Sequence, residues 1–406
     1  MIALKTNEIK ISHYLFMAAI LLTPVNYDFL SLRLNDILII FSFFILWKHW
    51  RYKYLGALGV LILILTGSNL VGVIVVGDID LSGLGFYLKW FLLFATCFLS
   101  AVHILEARNN IEVYVRSIFY VYIFLCLWVY AYLLLVSLGY IQGKWRVSFP
   151  FSSDYVNPDA HLYSSLLAIL VFSYLATIKN YLNHQAVSGF FFGALGVIAL
   201  FMTGSRTGVL MLFLGFSSVL FRNLVTLRWW KVENVATSLA FGLILIAVLF
   251  FTTEFFLNSD FAVLGLVERA IYIELWADES SFSRVKKLET ALAEVEYSYL
   301  LTGVGPLAAE LRFYDGISAI LLAHGGLILI SFSMAMMLYF TRYVYQAVGD
   351  RYSRFLVLTM AAMYLVSNLI TEYIFITRNF LLVFVAFAIM IKVAAGKYGK
   401  PVISEI

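Results

Sequence analysis

Residues 117–137 read SIFYVYIFLCLWVYAYLLLVS, without one charged side chain, and follow Arg108 and Arg116. As a helix this run is about 30 Å long, enough to cross the hydrocarbon core of a bilayer. It predicts a transmembrane span. Similar apolar runs start near residues 13, 36, 55, 83, 161, 186, 207, 235, 317, 354 and 378, so the reading extends to about twelve spans. Composition agrees: 63% of residues are hydrophobic and 13% charged, against roughly 25% charged in an ordinary soluble domain. The expected fold class is an all-α polytopic integral membrane protein.

Lys and Arg in short loops resist translocation and collect in the cytoplasm. Lys5, Lys10, Lys48, Arg51, Lys53, Arg116, Lys179, Arg222, Arg342 and Lys392 all fall on one side of the alternation of spans. Both termini are therefore expected in the cytoplasm. The first span contains Pro24 and no small-residue cleavage site follows it, so it reads as a retained anchor. Cys97 and Cys126 lie inside expected spans, which excludes a disulfide framework and a multi-cysteine metal site. The net charge of +4 is assigned to cytoplasmic loops facing anionic lipid, and nucleic-acid binding is not expected.

Two stretches break the short-loop pattern, residues 140–160 and 258–316, and the alternation puts both on the outer side. We read residues 1–406 as one membrane domain, with 258–316 inserted between the ninth and tenth spans as a large periplasmic loop. Part of that loop is expected to be a surface helix. From Ser283 onward, Leu288, Leu292, Val295 and Tyr299 fall at helical spacing, with Glu289, Glu294 and Glu296 on other faces. Thr302-Gly303-Val304-Gly305-Pro306 then ends it.

Three arginines stand out, two in these segments and one in a polar break that the alternation also puts outside. Arg206 lies in Thr203-Gly204-Ser205-Arg206-Thr207-Gly208, between one apolar run and the next. Ser205 can cap the new helix, whose free N–H groups and positive dipole end would form an anion site beside the guanidinium. Arg146 sits in Lys144-Trp145-Arg146, ahead of Asn157-Pro158, where Asn157 reads as an N-cap and Pro158 as the first helical residue. Arg284 falls in the first turn of the surface helix, against its electrostatic preference. Each arginine also has a plain reading, as a snorkelling or solvated charge.

Asp315, at the start of the tenth span, is a candidate general base or a helix cap. His324, nine residues on, should lie about 13.5 Å deeper and on the opposite face, so the two are not expected to pair. Lys89, Glu372 and Arg378 are further ionisable candidates near the outer leaflet. Asp78-Ile79-Asp80 has the form of an acidic metal-holding pair, but without further ligands nearby it reads as a polar turn. No cofactor or metal is expected.

In order and spacing, these segments resemble the bacterial O-antigen polymerase and O-antigen ligase superfamily of inner-membrane glycosyltransferases. Arg146 with Asn157-Pro158, Ser205-Arg206, and Arg284 followed by Gly303-x-Gly305 match the family's elements across most of the chain. In ligases the large loop ends in His-Asn. Here Asp315-Gly316 occupies that place, with Gly326 at the matching distance, which is closer to the polymerases. The resemblance implies undecaprenyl-diphosphate-linked oligosaccharides as donor and acceptor, with the active site facing the periplasm and a chain-length regulator as a further partner. A ligase acting on lipid A-core and a transporter of lipid-linked glycans are the alternatives.

This orientation is directly measurable. Single cysteines introduced near Asp260 and Glu310, in a chain lacking Cys97 and Cys126, should react with an impermeant thiol reagent in intact spheroplasts. Labelling only after lysis would reverse the topology.

Overall fold

A computed structural model describes residues 26–27, 32–33, 37–38, 41, 55–76, 111–141, 147, 160–184, 186–225, 286, 289, 299–305, 317–347, 351–370 and 388. The apolar runs expected from residues 55, 117, 161, 186, 207, 317 and 354 coincide with helices. These are α1 (Leu55–Val76), α2 (Ile111–Ser137), α3 (Ala160–Ser173), α4 (Ala186–Met202), α5 (Arg206–Val225), α6 (Ile317–Ala347) and α7 (Arg351–Ile370). The runs expected from residues 13, 36, 83, 235 and 378 lie outside the described residues, apart from isolated helical positions such as Ile37 and Ala388. Strand pairing among the described residues is limited to a two-residue antiparallel ladder, Asn26–Tyr27 with Leu32–Arg33.

Among the described residues, two helical stretches are long and apolar enough to cross a membrane, Tyr114–Ser137 and Tyr163–Tyr181. The first buries Val115, Ile118, Tyr122, Leu125 and Val129 on one face. Its other face is apolar too: Tyr120 is 64% exposed and Leu134 58%. A helix in water would carry polar groups there; a face this apolar is suited to lipid.

Helix ends are closed by local chemistry. After α2, Gly139 takes φ 74°, and the amides of Gly139 and Tyr140 reach back to the carbonyls of Val136 (3.1 Å) and Leu135 (2.9 Å). Such reverse bonds satisfy the orphan carbonyls of the last turn, and glycine is the residue that takes this φ without strain. α3 continues through a π-turn, Tyr174–Ile178, into Lys179–Tyr181. There Asn183 (φ 52°) plays the same terminating part, with His184 N–H donating to Lys179 O at 3.0 Å.

The described residues divide into two compact units, one drawn from 112–273 with 359–363 and the other from the remainder. In the first unit α3 is central, and its residues 163–174 are all buried. α2 runs antiparallel to it: Tyr163 Oη donates to Leu125 O at 2.5 Å, while Tyr174 stacks on Tyr122 at 5.2 Å. α4 runs with α2, since Tyr122 Oη donates to Phe192 O and Tyr130 Oη to Leu195 O. α5 runs parallel to α3. Its Gly208 meets Ser164 and its Gly215 meets Phe172, so both numbers rise together. Successive helices α2 to α5 thus alternate in direction.

In the second unit α1 packs against α6. α6 is 31 residues long but is broken at Gly326, which takes φ 59° and ψ −158°. A turn at Tyr299–Gly305 enters the break: Val304 N–H donates to Ala323 O (2.9 Å), and the amides of Leu327 and Ile328 donate to Leu300 O (3.0 Å) and Leu301 O (3.2 Å). Of the expected surface helix, Lys286 and Glu289 are helical and exposed. Its remaining residues before Tyr299 lie outside the described set.

Close approach of α3 and α5 is a testable basis of the first unit. A Cβ on Gly208 would lie 2.6 Å from Ser164 O, so Gly208→Val should cost about 1–3 kcal/mol as an overpacking change. Tm of the purified protein should fall. Gly67→Ala, where an added Cβ meets open space, should leave Tm unchanged or raise it.

Candidate functional site

Ser205-Arg206 and the start of α3 are brought to the same end of the first unit. α4 ends at Met202 and α5 begins at Arg206, so the polar break lies where the sequence puts it. Gly204 (φ 69°) makes the reversal, closed by Thr203 N–H to Leu200 O (3.2 Å) and Gly204 N–H to Phe201 O (3.1 Å). Ser205 is buried and stands in the N-cap position, and Arg206 is the first helical residue. Because α3 and α5 are parallel and in contact at Ser164 and Gly208, their N-termini lie side by side.

Two positive dipole ends therefore face the same way. Hydroxyls are concentrated there as well. Ser164 and Ser165 both donate to His161 O (3.0 and 2.7 Å), and Thr203 donates to Leu200 O at 2.7 Å. These bonds turn the hydroxyls onto their own backbone, which satisfies them where they are buried. Helix N-termini are in general suited to an anion. Thr207 is buried in the first turn of α5.

Arg146, Asn157, Lys89, Arg284, Asp315, Glu372 and Arg378 lie outside the described residues, as does Asp78-Ile79-Asp80. Val147, next to Arg146, is fully buried. His324 is buried in α6 two residues before the break. Among the described residues no group of three or more His, Cys, Asp and Glu could hold a metal ion. Cys126 is buried and unpaired by disulfide, as its place in an apolar run suggests.

Gly303, Gly305 and Gly326, known from the sequence only as spaced glycines, meet in the second unit. Gly72 was missed. It is one of four glycines in an uncharged helix, and only its contact with the Val304 carbonyl sets it apart. A second cluster was missed in the first unit, where Phe119, Tyr174, His184 and Phe192 pack together. His184 Nδ1 is 2.8 Å from Tyr174 Oη, with its ring 5.0 Å from Phe119 and 5.4 Å from Phe192. No sequence signal could have found it, because the wide π-turn that brings it together is not announced by side-chain periodicity.

No protein-family model matches the chain, and no curated protein matches it.

The His184 environment has a pH signature. Partial burial against these rings lowers its pKa from the ordinary 6.5. A pKa depressed in the folded state means stability that is whole above the unfolded value and is lost as pH falls through the folded one. Tm should thus be level above about pH 6.5 and decline below it. His184→Gln should flatten that limb of the profile; an unchanged slope would assign the acid sensitivity to other groups.

Proposed function

We propose that the chain is a polytopic inner-membrane glycosyltransferase of about twelve spans that joins undecaprenyl-diphosphate-linked oligosaccharide repeats at the periplasmic face. One observation carries the reading: the parallel N-termini of α3 and α5, with Ser205-Arg206 opening α5. A lipid diphosphate is an anion on an apolar tail. A pair of helix N-termini at one end of a bundle whose outer helices α2 and α5 expose apolar residues answers both halves of that chemistry. The alternation of α2 to α5 supports the polytopic arrangement, and the order of Arg146, Arg206, Arg284 and Asp315 along the chain supports this class of substrate.

In the proposed reaction the terminal sugar hydroxyl of one lipid-linked repeat attacks the anomeric carbon of the other. The bond from that carbon to the diphosphate oxygen breaks with inversion, and the undecaprenyl diphosphate leaves with the electron pair. Asp315 takes the hydroxyl proton. Arg146, Arg206 and Arg284 neutralise charge developing on the diphosphate, for which bidentate guanidiniums are suited. Ser205 and the first amides of α5 bind the same oxygens. Asn157 orders the start of α3, and Lys89, Glu372 and Arg378 complete the polar groups assigned to the outer face. Both substrates are held by their lipid tails at one surface, which supplies much of the proximity.

Purified protein in vesicles with lipid-linked repeats tests this. Wild type should lengthen the glycan. Arg206→Ala should abolish polymer at normal protein level, and Arg206→Lys should restore little, because the charge remains but the fork is lost. Asp315→Asn should slow polymerisation by ~10² to 10⁴ while donor affinity survives. Movement of substrate between leaflets without new glycosidic bonds would identify a transporter instead. Transfer to lipid A-core alone would identify a ligase.

A further inference from the structure

The turn at Tyr299–Gly305 and the break in α6 form one mechanical element. Along α6, Gly326 has non-helical dihedrals, φ 59° and ψ −158°. A break in a helix leaves carbonyls of the preceding turn and amides of the following turn without partners. Here a single turn from elsewhere in the chain serves both sides. Val304 N–H occupies Ala323 O, and the carbonyls of Leu300 and Leu301 receive the amides of Leu327 and Ile328. Val304 and Ala323 are buried, so the bond between them is made away from water.

Glycine makes the fit. A Cβ on Gly303 would lie 2.6 Å from Ala323 O, and one on Gly305 would lie 2.7 Å from Ser68 O. A Cβ on Gly326 would collide with Leu301 O, and one on Gly72 of α1 with Val304 O. Gly303, Gly305 and Gly326 also take φ values of 64°, 83° and 59°, which side chains disfavour. The turn is therefore gripped between α1 and α6 by backbone contact.

The bonding admits a second arrangement within α6. If Gly326 adopted helical dihedrals, Leu327 N–H would fall on Ala323 O and Ile328 N–H on His324 O, the ordinary i to i−4 pattern. Leu327 would then take the place on Ala323 O that Val304 holds in the docked state. The hydrogen-bond groups released by the turn, Val304 N–H and the Leu300 and Leu301 carbonyls, would pass to solvent. Exchange of one set of backbone partners for another, with a single glycine as the hinge, makes a two-state element.

We propose that the Tyr299–Gly305 turn is a reversible plug: docked, it holds α6 broken at Gly326, and withdrawn, it lets α6 close into a continuous helix. The plug precedes residues 306–316, which lead directly into α6. Its position is thus coupled to the geometry of that helix. This coupling does not depend on the reaction proposed above, and its test reads no catalytic activity.

Hydrogen–deuterium exchange of the full-length purified protein in detergent separates the two states. In wild type, and in Gly67→Ala on the open side of α1, peptides covering Leu300–Gly305 and Ala323–Ile330 should both be protected. In Gly72→Ala the added methyl meets Val304 O and expels the turn. Exchange across Leu300–Gly305 should then rise about tenfold or more, because protection follows the population of the open form. Ala323–Ile330 should stay protected, its amides now bonded within α6. Gly326→Ala, barred from φ 59°, should give the same pattern from the other side of the contact, which guards against misfolding of either variant alone. If both peptides lose protection together in the two variants, the break does not close and the proposal fails. Unchanged protection of the turn in both variants would equally overturn it.

Discussion

Backbone meeting backbone at glycine is the contact on which both units depend. Between apolar helices there is little hydrophobic gain to be had from burial when the alternative neighbour is a lipid tail, so association rests on close van der Waals approach and on polar bonds. Gly208 lets α5 lie against Ser164 of α3, and Gly72 lets α1 lie against the Val304 carbonyl. Gly196 admits the Tyr122 hydroxyl to the surface of α4 in the same way. Larger residues at these points would separate the helices and break the bonds that the approach permits.

Those bonds are mostly from tyrosine to main chain. Tyr122, Tyr130 and Tyr163 each cross from one helix to a carbonyl of another, at Phe192, Leu195 and Leu125. Their rings contribute apolar surface to a buried core, while the hydroxyl finds a carbonyl's second lone pair. Such a bond orients two helices without a buried charge. The hydroxyls of Ser164, Ser165, Thr177 and Thr203 are handled differently, each turning onto its own helix or turn. These four hydroxyls are thereby accommodated inside an apolar bundle by the backbone beside them.

Helix N-termini are a further polar feature of this bundle. The two at the start of α3 and α5 are adjacent because the chain passes through α4 and returns, so that helices with the same direction become neighbours. Anion recognition there would draw on fixed amides with little rearrangement, which is the form of preorganisation that charge-developing reactions exploit. At the other end of α3 the chain turns through Asn183 into the His184 cluster.

Helix positions were legible from hydropathy, because an apolar run of span length has few alternatives: the starts near 55, 186, 207 and 317 match α1, α4, α5 and α6 closely. The helix boundary at Ser205-Arg206 was equally readable, since a small polar residue followed by an apolar run is a local capping signal. Direction and neighbourhood were not. The parallel contact of α3 and α5 pairs Ser164 with Gly208 and Phe172 with Gly215, and no periodicity in either segment names its partner. The break in α6 is the sharpest case. His324-Gly325-Gly326 reads as the middle of an apolar helix, and it is interrupted because a turn some twenty residues earlier in the sequence supplies the hydrogen bonds that its own helix would otherwise make. Local sequence specifies which conformations a segment can adopt; which of them it takes is settled by groups that reach it through space.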